Sequence, residues 1–176
     1  MRTGHARTRY ALWLRPEGEV RGRLAETIRK LSRKYATPAF QPHVTLVSGI
    51  VAPERQVMAK AAKLAKEIPP LRLHFVGYGW TDEYFRCVFA RAAKARAIIE
   101  AHRKAKKTFA PARQRPFLPH LSLVYGDLPP RVKKEIIRAL GRRVALQFTA
   151  RRLDLVRIQG GPSEWKTVRS WSLRKP

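Results

Sequence analysis

A chain of 176 residues with 44% hydrophobic content is long enough to bury one real core and too apolar to stay disordered. No window approaches the ~18 apolar residues of a membrane-crossing helix, and no apolar run follows the basic start MRTGHARTRY, so a cytoplasmic protein with no membrane partner is expected. Cys87 is the only cysteine, which excludes an intramolecular disulfide and a thiolate metal cluster.

The formal charge of +26 is the strongest compositional signal. Of the 38 basic residues 25 are Arg, the side chain best shaped to grip phosphate with two donors. Nine Lys or Arg between Arg91 and Arg115 face the single acid Glu100, and six arginines between Arg138 and Arg157 face only Asp154. Such a field attracts polyanions, above all RNA or DNA, and predicts nonspecific nucleic-acid binding through the basic surface. A merely solvated basic surface would leave the same composition.

In chain order, residues 1–9 are expected to be a flexible tail. Tyr10–Leu14 reads as a short buried strand stopped by Pro16. Leu24, Ile28, Leu31 and Tyr35 fall at helical spacing and predict a helix over Arg21–Tyr35, broken by Pro38 and Pro42. Val44–Val47 resumes as strand, and Pro53–Lys66 reads as a second helix with Val57, Ala61 and Leu64 on one face. Leu71–Trp80 alternates in the period of a half-buried strand, and Tyr84–Ala90 is its expected antiparallel partner across the break Thr81-Asp-Glu. Ala92–Phe109 reads as a helix with basic residues outward, and Pro111–Pro119 as a connection. His120–Tyr125 is a strand, Gly126-Asp127 a turn, Arg131–Leu140 a short helix, and Val144–Leu173 strands divided by the turn at 159–162.

One unit occurs twice. Gln41-Pro-His-Val-Thr-Leu-Val is echoed 77 residues later by Leu118-Pro-His-Leu-Ser-Leu-Val, each time on a proline-bounded strand after a helix. This predicts two lobes of related topology facing one another within a single interleaved domain over 1–176.

Residues i and i+2 of a strand share a face. His43 therefore projects with Thr45, and His120 with Ser122, while Val44, Leu46, Leu121 and Leu123 anchor the opposite face. If the two strands lie side by side, two imidazoles and two hydroxyls converge on one cleft. One neutral imidazole can take a proton from an attacking water and the other, protonated, can give one to a departing ribose oxygen. The hydroxyls can donate to non-bridging phosphate oxygens. No metal and no cofactor is expected, since no carboxylate or cysteine lies near either unit. A lone His-x-Thr is most often a structural pair; the duplication of the whole unit argues otherwise. His5, His74 and His102 lack this context and receive no functional role: His5 in the tail, His74 on a sheet face, His102 among basic residues on a helix.

Two His-x-Thr/Ser units at this separation resemble the 2H phosphoesterase superfamily, and within it the plant-type cyclic nucleotide phosphodiesterases. The similar stretches include Leu12-Trp13, Phe40-Gln-Pro-His-Val-Thr45, Tyr84-Phe-Arg-Cys-Val-Phe89 and Pro116-Phe-Leu-Pro-His-Leu-Ser-Leu-Val-Tyr125. The resemblance implies an α+β, bilobal, pseudo-symmetric fold, with two antiparallel sheets lining a central cleft and helices outside. It implies hydrolysis of nucleoside 2′,3′-cyclic phosphates to 2′-phosphates and of ADP-ribose 1″,2″-cyclic phosphate. His43 and His120 would be the acid–base pair, Thr45 and Ser122 would hold the phosphate, and Tyr125, Trp13 and Phe85 would line the substrate site. The plant relatives' disulfides cannot be carried over to a chain with one cysteine. The charge leaves two other readings in place: processing of RNA ends that bear a 2′,3′-cyclic phosphate, in the manner of the relatives linked to 2′–5′ RNA ligation, and a non-catalytic RNA-binding module.

Overall fold

The structure, a computed structural model, describes residues 8–111, 116–141 and 143–174. The expected tail (1–9) therefore falls almost wholly outside the described residues, as does the centre of the expected 111–119 connection. In chain order the elements are β1 (Tyr10–Leu14), α1 (Gly18–Tyr35), β2 (Val44–Ile50), α2 (Glu54–Glu67), β3 (Leu71–Trp80), β4 (Val88–Ala92) and α3 (Arg96–Phe109). They continue with β5 (His120–Val124), α4 (Pro130–Leu140), β6 (Gln147–Ala150), β7 (Arg152–Arg157) and β8 (Lys166–Ser172). Short 3₁₀ turns occupy Tyr84–Arg86 and Pro162–Glu164.

The strands form one curled antiparallel arrangement in the order β6-β3-β4-β5-β2-β1-β7-β8. At its centre β2 meets β5 through a single opposed pair, Val44 and Leu121. That narrow seam divides the sheet into two four-stranded halves, the two-sheet α+β arrangement expected. The helices lie on one side: α1 packs on β5 and α4 on β3 and β4, while α3 packs on β2 and α2 on β7 and β8. Each half is thus covered by two helices.

Alternation of the strands explains which face is which. Leu12, Leu14, Val44, Leu46, Leu121, Leu123, Leu153 and Leu155 are all fully or nearly fully buried and join Leu24, Ile28, Ala61, Leu64, Ile98 and Ala101 of the helices in one core. A smaller cluster of Cys87, Val88, Val124 and Ile136 seats α4.

Most departures from the expected elements are shifts of end points. α1 begins three residues earlier, at Gly18, and α2 begins at Glu54 with Pro53 as its flanking residue. Two differences have a physical cause. Tyr84–Arg86 is a turn rather than the start of β4, because the Thr81 hydroxyl accepts from the Glu83 N–H (3.3 Å) and donates to the Arg86 carbonyl (2.7 Å). Ala92 belongs to β4 rather than α3, since it pairs with Phe75 and its N–H donates to the Pro119 carbonyl at 2.9 Å. Among the described residues no helix is long and apolar enough to cross a membrane.

Candidate active site at the β2–β5 seam

Continuing the antiparallel register of Val44 and Leu121 by one residue each way sets His43 opposite Ser122 and Thr45 opposite His120. Opposed residues share a face, so all four point away from the helices. Each imidazole therefore sits across from the other unit's hydroxyl. Neighbouring strands extend this face. Trp13 of β1 opposes Thr45, while Phe89 and Arg91 of β4 oppose Ser122 and His120.

The two histidines are held by the same backbone device. His43 Nδ1 lies 2.6 Å from the Gln41 carbonyl and His120 Nδ1 lies 2.7 Å from the Leu118 carbonyl, each two residues upstream. A carbonyl can only accept, so each Nδ1 carries the proton and each Nε2 presents a lone pair. The proline between carbonyl and histidine (Pro42, Pro119) restrains the backbone that makes this bond.

Burial governs the protonation of both rings. Desolvation pushes the His43 pKa down to about 3, against the partial support of the Gln41 carbonyl, and the charges of His120 and Arg15 push the same way. His120 is also lowered, first by burial, with the Leu118 carbonyl opposing and Arg86 adding. Burial thus favours the neutral form of both imidazoles.

The hydroxyls differ. Ser122 Oγ donates to the Phe85 carbonyl at 3.1 Å, so its proton is in use. Thr45 is half-buried and its hydroxyl makes no hydrogen bond among the described residues. Tyr125 is buried, its hydroxyl lies 3.4 Å from His43 Nε2, and burial raises its pKa, which keeps it a donor.

All seven residues singled out in the sequence gather here, though not all in the expected manner. Trp13 is 4% exposed and stacks on His43 with centroids 3.5 Å apart and planes 7° from parallel, so its ring face carries the imidazole instead of standing open to a base. Phe85 is 53% exposed and meets Tyr125 edge-on at 5.4 Å. The turn at Tyr84–Arg86 lifts Phe85 out of the sheet.

Four residues escaped the sequence reading. Trp165 packs 5.8 Å from Trp13 and 5.6 Å from Phe85, bringing the β7–β8 connection to the site. Arg15 donates from Nε to buried Asp154 at 2.5 Å and from Nη2 to Thr167 at 3.1 Å. Its spacing from Trp13 by two was a signal for the same face. Buried Lys133 donates to the Thr81 carbonyl and to Asp82 (2.9 and 2.8 Å), pinning the turn that carries Phe85 and Arg86. His102, read as a bystander, has Nδ1 2.7 Å from the Leu46 carbonyl and stacks on Phe117 at 3.9 Å, so it links the two motif segments from the helix side. Among the described residues no three His, Cys, Asp or Glu side chains gather where they could hold a metal ion.

A curled antiparallel α+β sheet with paired histidine–hydroxyl units across its seam has the form of a two-histidine phosphoesterase fold. Residues 7–162 match the family model of the 2′-5′ RNA ligase superfamily, and the chain belongs to that 2H phosphoesterase family. It is 27% identical over 165 residues to a cyclic phosphodiesterase of Arabidopsis thaliana, covering 92% of this chain and 90% of that one. Similar folds include TT0787 of Thermus thermophilus (TM-score 0.70, 22% identity, 94% and 98% of the two chains). Apo E. coli LigT is also similar (TM-score 0.69, 17% identity, 96% and 99%), and LigT has also been crystallised with 3′-AMP.

Proposed function

We propose that this protein hydrolyses cyclic phosphodiesters, nucleoside 2′,3′-cyclic phosphates above all and ADP-ribose 1″,2″-cyclic phosphate as a second substrate, by metal-independent acid–base catalysis. Membership of the family and the likeness to a cyclic phosphodiesterase support phosphoesterase chemistry in general. The observation that carries the finer reading is the matched tethering of His43 and His120, which leaves two Nε2 atoms on one face of the β2–β5 seam.

The step balances with water alone. One Nε2 accepts a proton as the water oxygen bonds to phosphorus. The bond from phosphorus to the 3′-oxygen breaks, and the other ring, as imidazolium, returns a proton to that oxygen, leaving the 2′-phosphate. The cation this requires takes its proton from solvent when substrate binds, because a phosphate anion beside a desolvated imidazole raises its pKa. Thr45 and Ser122 donate to the non-bridging oxygens, Ser122 by turning from the Phe85 carbonyl. Trp13 fixes the plane of His43, while Phe85 and Tyr125 wall the substrate site.

The test is release of 2′-AMP from 2′,3′-cyclic AMP in excess EDTA by the parent protein, His43→Ala and His120→Ala. Turnover by the parent and its loss in both variants is expected. Equal rates in all three would remove the assignment.

A further inference from the structure

The seam that brings the two units together is thin. β1 and β2 pair from Tyr10 and Ile50 to Leu14 and Val44, and β4 and β5 from Val88 and Val124 to Arg91 and His120. Between β2 and β5 only Val44 and Leu121 are opposed. One pair of residues does little to stop the two half-sheets turning about it, and the spacing of His43 and His120 turns with them. The two ends of the seam must hold that angle.

One end is closed by Phe40, ahead of β2, which stacks on Tyr125, just past β5, with centroids 3.7 Å apart. The other is closed by His102 of α3. Its ring lies flat on Phe117, at 3.9 Å and 1° from parallel, and its Nδ1 lies 2.7 Å from the Leu46 carbonyl. Leu46 is where the ladder gives out. It is the extra residue of a bulge, skipped between the Thr45–Trp13 and Val47–Leu12 pairs. Carried two residues beyond Val44 and Leu121, the seam register sets it against Pro119, whose nitrogen has no hydrogen to give. Leu46 is buried, where an unpaired carbonyl is costly, and His102 supplies the donor that Pro119 lacks.

Both contacts fall beside the reacting groups. Leu46 follows Thr45, and Phe117 precedes Leu118, whose carbonyl holds His120 Nδ1. Since α3 packs on β2, one imidazole ties the β2 half-sheet to the segment that enters β5. We infer that His102 is a positioning residue: its ring fixes the far end of the seam and with it the spacing of the two imidazoles. The inference rests on the cyclic-phosphodiesterase reading for what that spacing serves.

Two readouts test it, one of turnover and one of the rings themselves. In His102→Ala kcat for 2′,3′-cyclic AMP is expected to fall ~10- to 100-fold, the scale of an ångström-sized misplacement, with KM within about twofold of the parent. His102→Phe keeps the stack, loses the donor and should lie between the two. Phe117→Leu should add little to His102→Ala in the double variant, since both remove one contact. In isotope-labelled protein the ring resonances of His43 and His120, sharp in the parent, should broaden together in His102→Ala through μs–ms exchange. Val57→Ala, a truncation in the core under α2, is the control: it lowers Tm and leaves kcat and both ring signals as in the parent. In an active parent, a kcat for His102→Ala no lower than that of Val57→Ala overturns the assignment. Unbroadened rings in His102→Ala overturn it whatever the turnover. Should His102→Ala not fold, the same two outcomes are read from His102→Phe. A parent without turnover in which His102→Ala still broadens both rings refutes the phosphodiesterase reading and leaves the tie standing.

Discussion

On the β2 side of the seam His43 is 6% exposed and lies flat on Trp13, whereas on the β5 side His120 is half-buried and meets Phe89 edge-on at 5.3 Å. Both rings are tied through Nδ1 to a carbonyl two residues upstream, so the repeated sequence sets one tautomer twice. Their cations differ too. Arg15, fixed by Asp154, bears on His43, and Arg86, paired with Glu83 at 2.5 Å, bears on His120. The hydroxyls reverse the order of freedom: Thr45 is uncommitted beside the buried half, and Ser122 is committed to the Phe85 carbonyl. A duplicated motif thus supplies matching chemistry, while burial and neighbours make the two copies unequal.

Removing either imidazole tests the shared part of this comparison. His43→Ala and His120→Ala are each expected to lower kcat/KM for 2′,3′-cyclic AMP by ~10²–10⁴-fold, the ordinary worth of a positioned acid or base. Product chromatography would show it, and a variant retaining a third of the parent rate would make its half dispensable. The hydroxyls probe the unequal part. Thr45→Ala should cost about 100-fold in kcat and Ser122→Ala about tenfold, because Ser122 must first give up its bond to Phe85. The reverse ranking would place the phosphate nearer β5.

Trp13→Leu tests rigidity. With its stacking partner gone His43 gains solvent and freedom, so kcat should fall about fivefold with KM nearly unchanged. The His43 pKa, followed by NMR titration, should rise from its depressed value toward the ordinary 6.5. An unmoved pKa would show that the stack does not set the protonation of that half. The smallest effect is a displacement along the pH axis. Desolvation disfavours both imidazolium ions, so in the free protein both pKa values lie below 6.5 and kcat/KM should already be falling through neutrality. Bound phosphate favours the cation, so the optimum in kcat should lie about one pH unit higher. Parallel kcat and kcat/KM profiles would mean that substrate does not recharge the site.

Much of the site was legible because its signal is local. Alternation over five residues is enough to put His43 with Thr45, and His120 with Ser122, on the face away from the core. Tyr125 and Phe85 came from the resemblance and proved to be neighbours. Trp13 also came from the resemblance, and its stack on His43 was not legible, because an aromatic on a strand does not reveal from sequence which ring it will cover. Trp165, Asp154 and Lys133 gave no signal, since each acts through partners 50 or more residues away. The turn at Tyr84–Arg86 read as strand because its β-favouring residues were visible and the two hydrogen bonds of Thr81 were not.

The sequence by itself determined the paired histidine–hydroxyl units, their anchoring on apolar neighbours and the strongly basic character of the chain. Those follow from residue type and a period of two, which survive any arrangement of the strands. Only the tertiary structure decided that β2 and β5 meet at Val44 and Leu121, which sets each imidazole opposite the other unit's hydroxyl. It also decided that His102 closes the far end of that seam through Leu46 and Phe117. A one-residue slip of β5 would turn Leu121 and Leu123 out of the core and is opposed by the alternation, but a two-residue slip keeps every side chain on its face and nothing in the motif forbids it. The register is fixed instead by the summed burial of leucines and valines along both halves, under helices that the motif does not contain.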